Sequence, residues 1–264
     1  PNASMAGFAL CPACRSEYED PSDRRFHAQP TCCPQCGPTL SLVQPNGASI
    51  CEKGSIISRA SSLLKDGQIL AVKGIGGFHL MVDARDDDAV RRLRERKHRE
   101  HKPLAVMASS LRAARRLAML SPEEEDLLTS QAAPIVIAKS DGGLSQFVAP
   151  ENPNLGIMLP SSPLHPLLMK ECGIPLVATS GNLSDEPLCI ENEEAMKRLG
   201  GIADAFLLHD RPIVRPIDDS ICRVLGEGPA AFRRARGYAP LPFPLAGARP
   251  GIAAFGSHLK GSAA

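Results

Sequence analysis

The sequence predicts an α/β (α+β) domain behind a small cysteine-rich head. Three observations predict it. Five of the nine cysteines fall within residues 11–36. After Pro45-Asn46-Gly47, short apolar runs alternate with stretches of helical period. The 24 prolines and 22 glycines supply the short connections such an alternation needs.

The elements follow in order. Ser55–Asp66 has Ile56, Ile57, Ala60, Leu63 and Leu64 on one helical face, with Gly67 as its stop. Gln68–Lys73 and Phe78–Val82 read as strands around Gly74-Ile75-Gly76-Gly77. That loop is neither GxGxxG nor a P-loop, so a plain hairpin turn is its first reading. Asp86, Asp87 and Asp88 cap a helix running to about Lys97. Strand Leu104–Ala108, a helix over Leu111–Leu120 and the start signal Ser121-Pro122-Glu123-Glu124 come next. Strand Ile135–Ala138, helix Pro163–Glu171, strand Leu176–Thr179, helix Glu191–Leu199 and strand Ala205–Leu208 continue the alternation. Ser220–Leu225 and Ala230–Arg236 form a last pair around Gly226–Pro229. The Pro-rich stretch near residues 240–250 reads as a linker.

Composition narrows the function. The net charge is +1, aromatics are 4% and Trp is absent, so a globally basic or stacking nucleic-acid binder is disfavoured. Apolar runs fall far short of the roughly 20 residues a spanning helix needs. With no charged-then-apolar leader and an odd cysteine count, a reducing cytoplasmic setting is expected.

The cysteines carry the sharpest motif. Cys11-Pro-Ala-Cys14 and Cys33-Pro-Gln-Cys36 are paired knuckles able to place four thiolates around one Zn²⁺. Four protein ligands leave no open position, so the zinc is expected to be structural. Each knuckle reads as an irregular, Pro-rich stretch. Cys32 is the rival of Cys33, which has the right spacing to Cys36.

Three further segments carry polar chemistry. Residues 91–102 hold seven Lys/Arg, Lys97, Arg99 and Lys102 among them, at a predicted helix-to-strand junction. Thr179-Ser180-Gly181-Asn182 offers hydroxyls and an amide after a strand. Paired Asp218 and Asp219 stand near Arg233, Arg236 and Tyr238. Together they suggest an anion, such as a nucleotide triphosphate with Mg²⁺. No Ser-His-Asp or Cys-His arrangement stands out.

The segments AVKGIGGFHLMVDA, RKHREHKPLAVM, TSGNLSDEP, DRPIVRPIDDS and RRARGYAP, with the two knuckles, resemble the hydrogenase maturation carbamoyltransferase family, HypF. The resemblance implies a Cys₄ zinc finger in residues 1–48. A YrdC-like twisted mixed sheet with flanking helices would occupy residues 49–242, and the linker and truncated start of a Kae1-like domain residues 243–264. It implies that the YrdC-like part joins carbamate, derived from carbamoyl phosphate, to ATP. The products would be carbamoyl adenylate and pyrophosphate. The carbamoyl group would pass to the C-terminal cysteine of a HypE-type partner, for the cyanide ligands of [NiFe]-hydrogenase.

By the same resemblance, Lys97, Arg99 and Lys102 match the family's basic motif, and Ser180 and Asn182 its Ser-x-Asn motif. Lys73 and His79 would face the cleft at the carbamoyl end. Arg233, Arg236 and Tyr238 match a second basic motif. Asp219 would be a Mg²⁺-side or arginine-orienting carboxylate. One departure is visible: Ser161-Ser162-Pro163-Leu164-His165-Pro166 stands where the family shows Tyr-Thr before Pro-Leu-His-His. The alternatives are a threonylcarbamoyl-adenylate synthase of the same fold and a zinc-containing module that binds RNA or protein.

Overall fold

The computed structural model describes residues 4–51, 53–183, 186–226 and 228–242, with Gly247 and Gly251. The linker beyond 242 and the Kae1-like start lie outside the described residues.

The head begins with α1 (Pro12–Glu19), for which Cys11 is the N-cap residue and Pro12 the first helical position. The first knuckle is therefore helical, a correction to the irregular reading. The chain then enters β1 (Leu40–Val43), which pairs antiparallel with β9 (Ala205–His209). The head is thus tied directly to the main sheet.

The remaining strands are β2 (Leu70–Lys73), β3 (Phe78–Asp83), β4 (Ala105–Met107), β5 (Ala118–Met119), β6 (Ile135–Ser140), β7 (Asn154–Met158), β8 (Leu176–Ser180), β10 (Ile221–Leu225) and β11 (Gly228–Arg233). The sheet runs β1-β9-β2-β3-β8-β4-β7-β6-β10-β11, with β5 on β6. It is mixed: β2–β9, β4–β7 and β6–β10 are parallel and the other pairs antiparallel.

The helices α2 (Ile56–Lys65), α3 (Asp87–Lys97), α4 (Leu111–Ala114), α5 (Pro122–Thr129), α6 (Leu164–Cys172) and α7 (Asn192–Leu199) complete the layers. Alternation along the strands decides which helix packs where. Ala71, Phe78, Leu80 and Val82 face Val90 and Leu93 of α3 and Ala195 and Leu199 of α7. Leu70, Val72 and Met81 face Ala60, Leu63 and Leu64 of α2 and Leu168 and Met169 of α6. The core is aliphatic, as the shortage of aromatics requires.

Two expectations are corrected. The helix over 111–120 stops at Ala114, because Ala118 and Met119 pair with Ser140 and Lys139 at the sheet margin. The final strand ends at Arg233, and Arg236 lies past it in a turn. The glycine loop is a hairpin turn, closed by Gly74 N–H donating to the Gly77 carbonyl at 2.8 Å. Gly76 is there for close approach: a Cβ would lie 2.4 Å from the Ile217 carbonyl oxygen. At Gly181 a Cβ would lie 2.5 Å from the Phe78 Cβ. Gly181→Ala should therefore push β8 off β3 and cost about 1–3 kcal/mol, as an urea unfolding midpoint would report.

Candidate active site

The four knuckle cysteines come together first. Their sulfurs lie within 4.8 Å of one another. Cys11 and Cys33 Sγ are 3.7 Å apart, and Cys33 and Cys36 Sγ 3.8 Å. A tetrahedral zinc with Zn–S of about 2.3 Å needs sulfurs about 3.8 Å apart, so the set fits zinc. Backbone N–H groups of Cys11 and Cys33 lower the Cys36 thiol to about 6, favouring the thiolate. Cys33 is in the cluster, while the Cys32 sulfur packs beside Gly37. Metal analysis should return one zinc per chain, retained in Cys32→Ser and lost in Cys33→Ser.

The second constellation sits at the end of the sheet where β3 begins and β8 ends. His79 pairs in register with Ser180, which sets both side chains at one place. His79 Nε2 lies 2.8 Å from Asp219 Oδ2. The other oxygen, Oδ1, accepts from Arg236 Nε and Nη2 at 3.1 and 2.9 Å. Burial alone would raise the Asp219 carboxyl, but the His79 and Arg236 charges and hydrogen bonds hold it well below the usual carboxylate range. Both oxygens are engaged, and Asp219 holds Arg236 and His79 in place.

Lys97 ends α3 and is buried. Its ammonium donates to the Ser180 carbonyl (2.7 Å), the Asn182 carbonyl (2.6 Å) and Asn182 Oδ1 (3.2 Å). Ser180 Oγ donates to the same Oδ1 at 2.7 Å. Lys97 therefore clamps the Ser-x-Asn turn. His98, in the left-handed conformation with φ 50°, ends the helix and turns the chain into the basic loop.

Arg94 organises that loop, a role sequence reading missed. It is buried and donates to the carbonyls of Phe147, Arg99 (2.7 Å), Glu100 (3.0 Å), Lys102 (3.3 Å) and Val148 (3.1 Å). Arg99 reaches the Lys102 and Pro103 carbonyls, at 3.2 and 2.6 Å. Burial, with repulsion from Arg94 and Arg233, lowers the Arg99 guanidinium to about 10. Cations from the loop and from β11 thus converge, as an anion site requires. The side chain of Lys102 is exposed.

Two sequence-nominated residues lie elsewhere. Lys73 follows Ala71 in the strand alternation and takes the face opposite His79. It donates to the His209 carbonyl at 3.1 Å and lines a separate cavity of about 500 Å³ with Leu164, Ile213 and Arg215. Tyr238 receives the Cys222 thiol at 3.5 Å, and burial raises its phenol to about 12; it packs on β10.

A small cavity of about 20 Å³ lies between His79, His165, Ser180, Asp219 and Arg236, roofed by Ile217. His165, at the start of α6, was not singled out as a site residue. Burial, with repulsion from His79 and Arg236, lowers its imidazole to about 3. Between about pH 3 and 6.5 only the unfolded chain takes up this proton, so stability is full above 6.5 and falls below it. The slope should approach about 1.4 kcal/mol per pH unit and flatten in His165→Gln, measured by urea unfolding across pH.

Comparisons with known proteins place the fold in a family. The Sua5/YciO/YrdC family model, described as "Telomere recombination", matches residues 62–235, and the HypF finger model matches residues 10–43. The chain belongs to the Sua5/YciO/YrdC family. It is 51% identical over 260 residues to carbamoyltransferase HypF of Rhodobacter capsulatus, covering 97% of this chain and 34% of that protein. With the HypF of a Synechocystis strain it shares 48% over 313 residues, 98% of this chain and 41% of the relative. A crystal structure of full-length HypF in a phosphate- and nucleotide-bound form superposes with TM-score 0.84 at 49% identity. The match covers 90% of this chain and 31% of that one. The chain thus spans about a third to two fifths of these relatives. Among the described residues no helix is long and apolar enough to cross a membrane.

Proposed function

We propose that this chain forms carbamoyl adenylate from carbamate and ATP, as the middle step of a HypF-type carbamoyltransferase. The observation that supports it is the joining of two hydrogen-bonded units at one sheet end. Lys97, Ser180 and Asn182 form the first; His79, Asp219 and Arg236 the second.

A carbamate oxygen attacks the α-phosphorus of ATP, the α–β phosphoanhydride breaks, and pyrophosphate leaves. No covalent enzyme intermediate is required. Catalysis is positioning and charge stabilisation. Arg99 and Arg233 offset the charge spreading over the phosphates. Lys97 fixes the Ser180–Asn182 turn, whose polar groups hold a phosphate or the carbamoyl unit. Asp219 orients Arg236 and His79. Any Mg²⁺ would arrive with the nucleotide, and no step is assigned to it. Zinc, when bound by Cys11, Cys14, Cys33 and Cys36, fastens the head and takes no part in the reaction.

In the longer protein, carbamate would come from carbamoyl phosphate and the adenylate would serve a HypE-type partner, in the cytoplasm. A second reading has one observation behind it: 27% identity over 157 residues to threonylcarbamoyl-AMP synthase of Bacillus subtilis. Exchange of labelled pyrophosphate into ATP separates the two. Exchange dependent on ammonium bicarbonate supports our reading. Exchange dependent on threonine plus bicarbonate supports the other.

A further inference from the structure

Arg94 lies on α3, three residues before Lys97, and is buried. Burial alone lowers its guanidinium from the usual arginine value, and among the described residues no carboxylate pairs with it. Its acceptors are carbonyls from two separate stretches of chain. Nε and Nη2 donate to Phe147 and Val148. Nη1 donates to Arg99, Glu100 and Lys102. The first stretch is a fixed platform. Ser145 N–H donates to the Ala84 carbonyl, and Leu104 N–H to the Val148 carbonyl, each at 2.9 Å. The second is the basic loop, where Glu100, His101 and Lys102 are exposed. Arg94 therefore ties a mobile kind of segment to an anchored one. A cation buried without a counter-ion is costly, and carbonyl dipoles offset only part of that cost. An apolar side chain would serve packing better, so the cost points to a use for the guanidinium itself.

The Lys102 carbonyl shows what that use is. It accepts from Arg94 Nη1 at 3.3 Å and from Arg99 Nε at 3.2 Å, so the place of Arg99 depends on Arg94. Two like charges held on one carbonyl repel, and Arg233 adds to the repulsion at Arg99. An anion at Arg99 relieves it. We propose that Arg94 is a positioning residue that holds the basic loop so that Arg99 meets the phosphates of the nucleotide. The proposal rests on the adenylate-forming reading above for the reaction it serves. Arg94 itself touches no phosphate, because its fork is turned to carbonyls. Lysine cannot take its place: one ammonium cannot span both stretches as a planar fork does.

The test is calorimetric titration of the purified chain with inorganic pyrophosphate. Four proteins are compared: the wild type, Arg94→Lys, Arg99→Ala and the double variant. Arg94→Lys keeps the charge and loses the fork. It should weaken pyrophosphate binding about tenfold, the size of one lost hydrogen bond to a charged group. In the Arg99→Ala background the same change should weaken binding by less than about twofold, because Arg94 acts through Arg99. A merely structural role would give losses that add. Circular dichroism establishes that each variant is folded. Should the lysine variant not fold, Arg94→Gln takes its place in the same cycle, with the same coupling expected.

Wild-type affinity in folded Arg94→Lys overturns the proposal, since bare charge would then suffice. Additive losses in the double variant, or a wild-type chain that binds no pyrophosphate, overturn it as well. The expected coupling in a chain that makes no adenylate keeps the positioning role and discards the adenylate-forming reading.

Discussion

Lys97→Ala is expected to lower carbamoyl-adenylate formation by about a hundredfold or more, the scale set by lost electrostatic donors at reacting centres. The geometry says why one side chain matters so much. Its ammonium holds two backbone carbonyls and an amide oxygen of the Ser180–Asn182 turn. Removing it leaves three partly buried acceptors facing one another, so the turn must rearrange. Lys97→Met keeps the bulk and removes the donors, and should fail to the same degree. Nucleotide affinity should fall less than turnover, because Arg99 and Arg233 remain. Wild-type turnover in either variant would contradict the assignment. The measurement is single-turnover product formation, with circular dichroism to establish folding.

Asp219→Ala is expected to have the second large effect, on stability and activity together. It removes the carboxylate between His79 and Arg236, groups that are themselves largely buried. Leaving a buried guanidinium without its counter-charge costs about 3–5 kcal/mol. Arg236 also donates to the carbonyls of Ala132 and Ala133 at 3.0 and 2.8 Å, so the connection before β6 should loosen with it. Asp219→Asn preserves shape and one acceptor, and should recover most of the stability but little of the turnover. The pH dependence has a definite sign. The folded carboxyl titrates below its unfolded value near 3.8, so its contribution is complete at neutral pH. It is lost only as pH falls below about 3.8 and through the folded value. A variant with unchanged unfolding midpoint would show that the carboxylate is not structurally coupled.

The sequence showed these features to different degrees, for physical reasons. Paired knuckles are local in spacing, so the cysteine cluster was legible, down to Cys33 over Cys32. Strands of apolar runs and helices with capping acids were legible for the same reason. Two strands were not. Leu40–Val43 is four residues long and is held by pairing with β9, far along the chain. Asn154–Met158 contains Gly156 and lies between prolines, so it carries no local strand signal; Ala105–Met107 and Val136–Lys139 pair with it and make it a strand. At 111–120 pairing at the sheet margin overrode helical period.

At the site, residue types were legible and their facing was not. Lys73 and His79 come from the two strands of one hairpin, yet side-chain alternation sends them to opposite faces. Arg94 looked like one charge in a basic run. Its burial and five carbonyl partners appear only when the chain folds back on itself. His165 is a lone histidine in sequence, given meaning by the ring of His79.

The central claim is that this chain makes a carbamoyl adenylate, and mass spectrometry of the purified chain with Mg²⁺ and ATP tests it most directly. One mixture contains ammonium bicarbonate and the other threonine plus bicarbonate. Our account predicts carbamoyl adenylate and pyrophosphate in the first and neither product in the second. Threonylcarbamoyl adenylate in the second mixture, with nothing in the first, would contradict it.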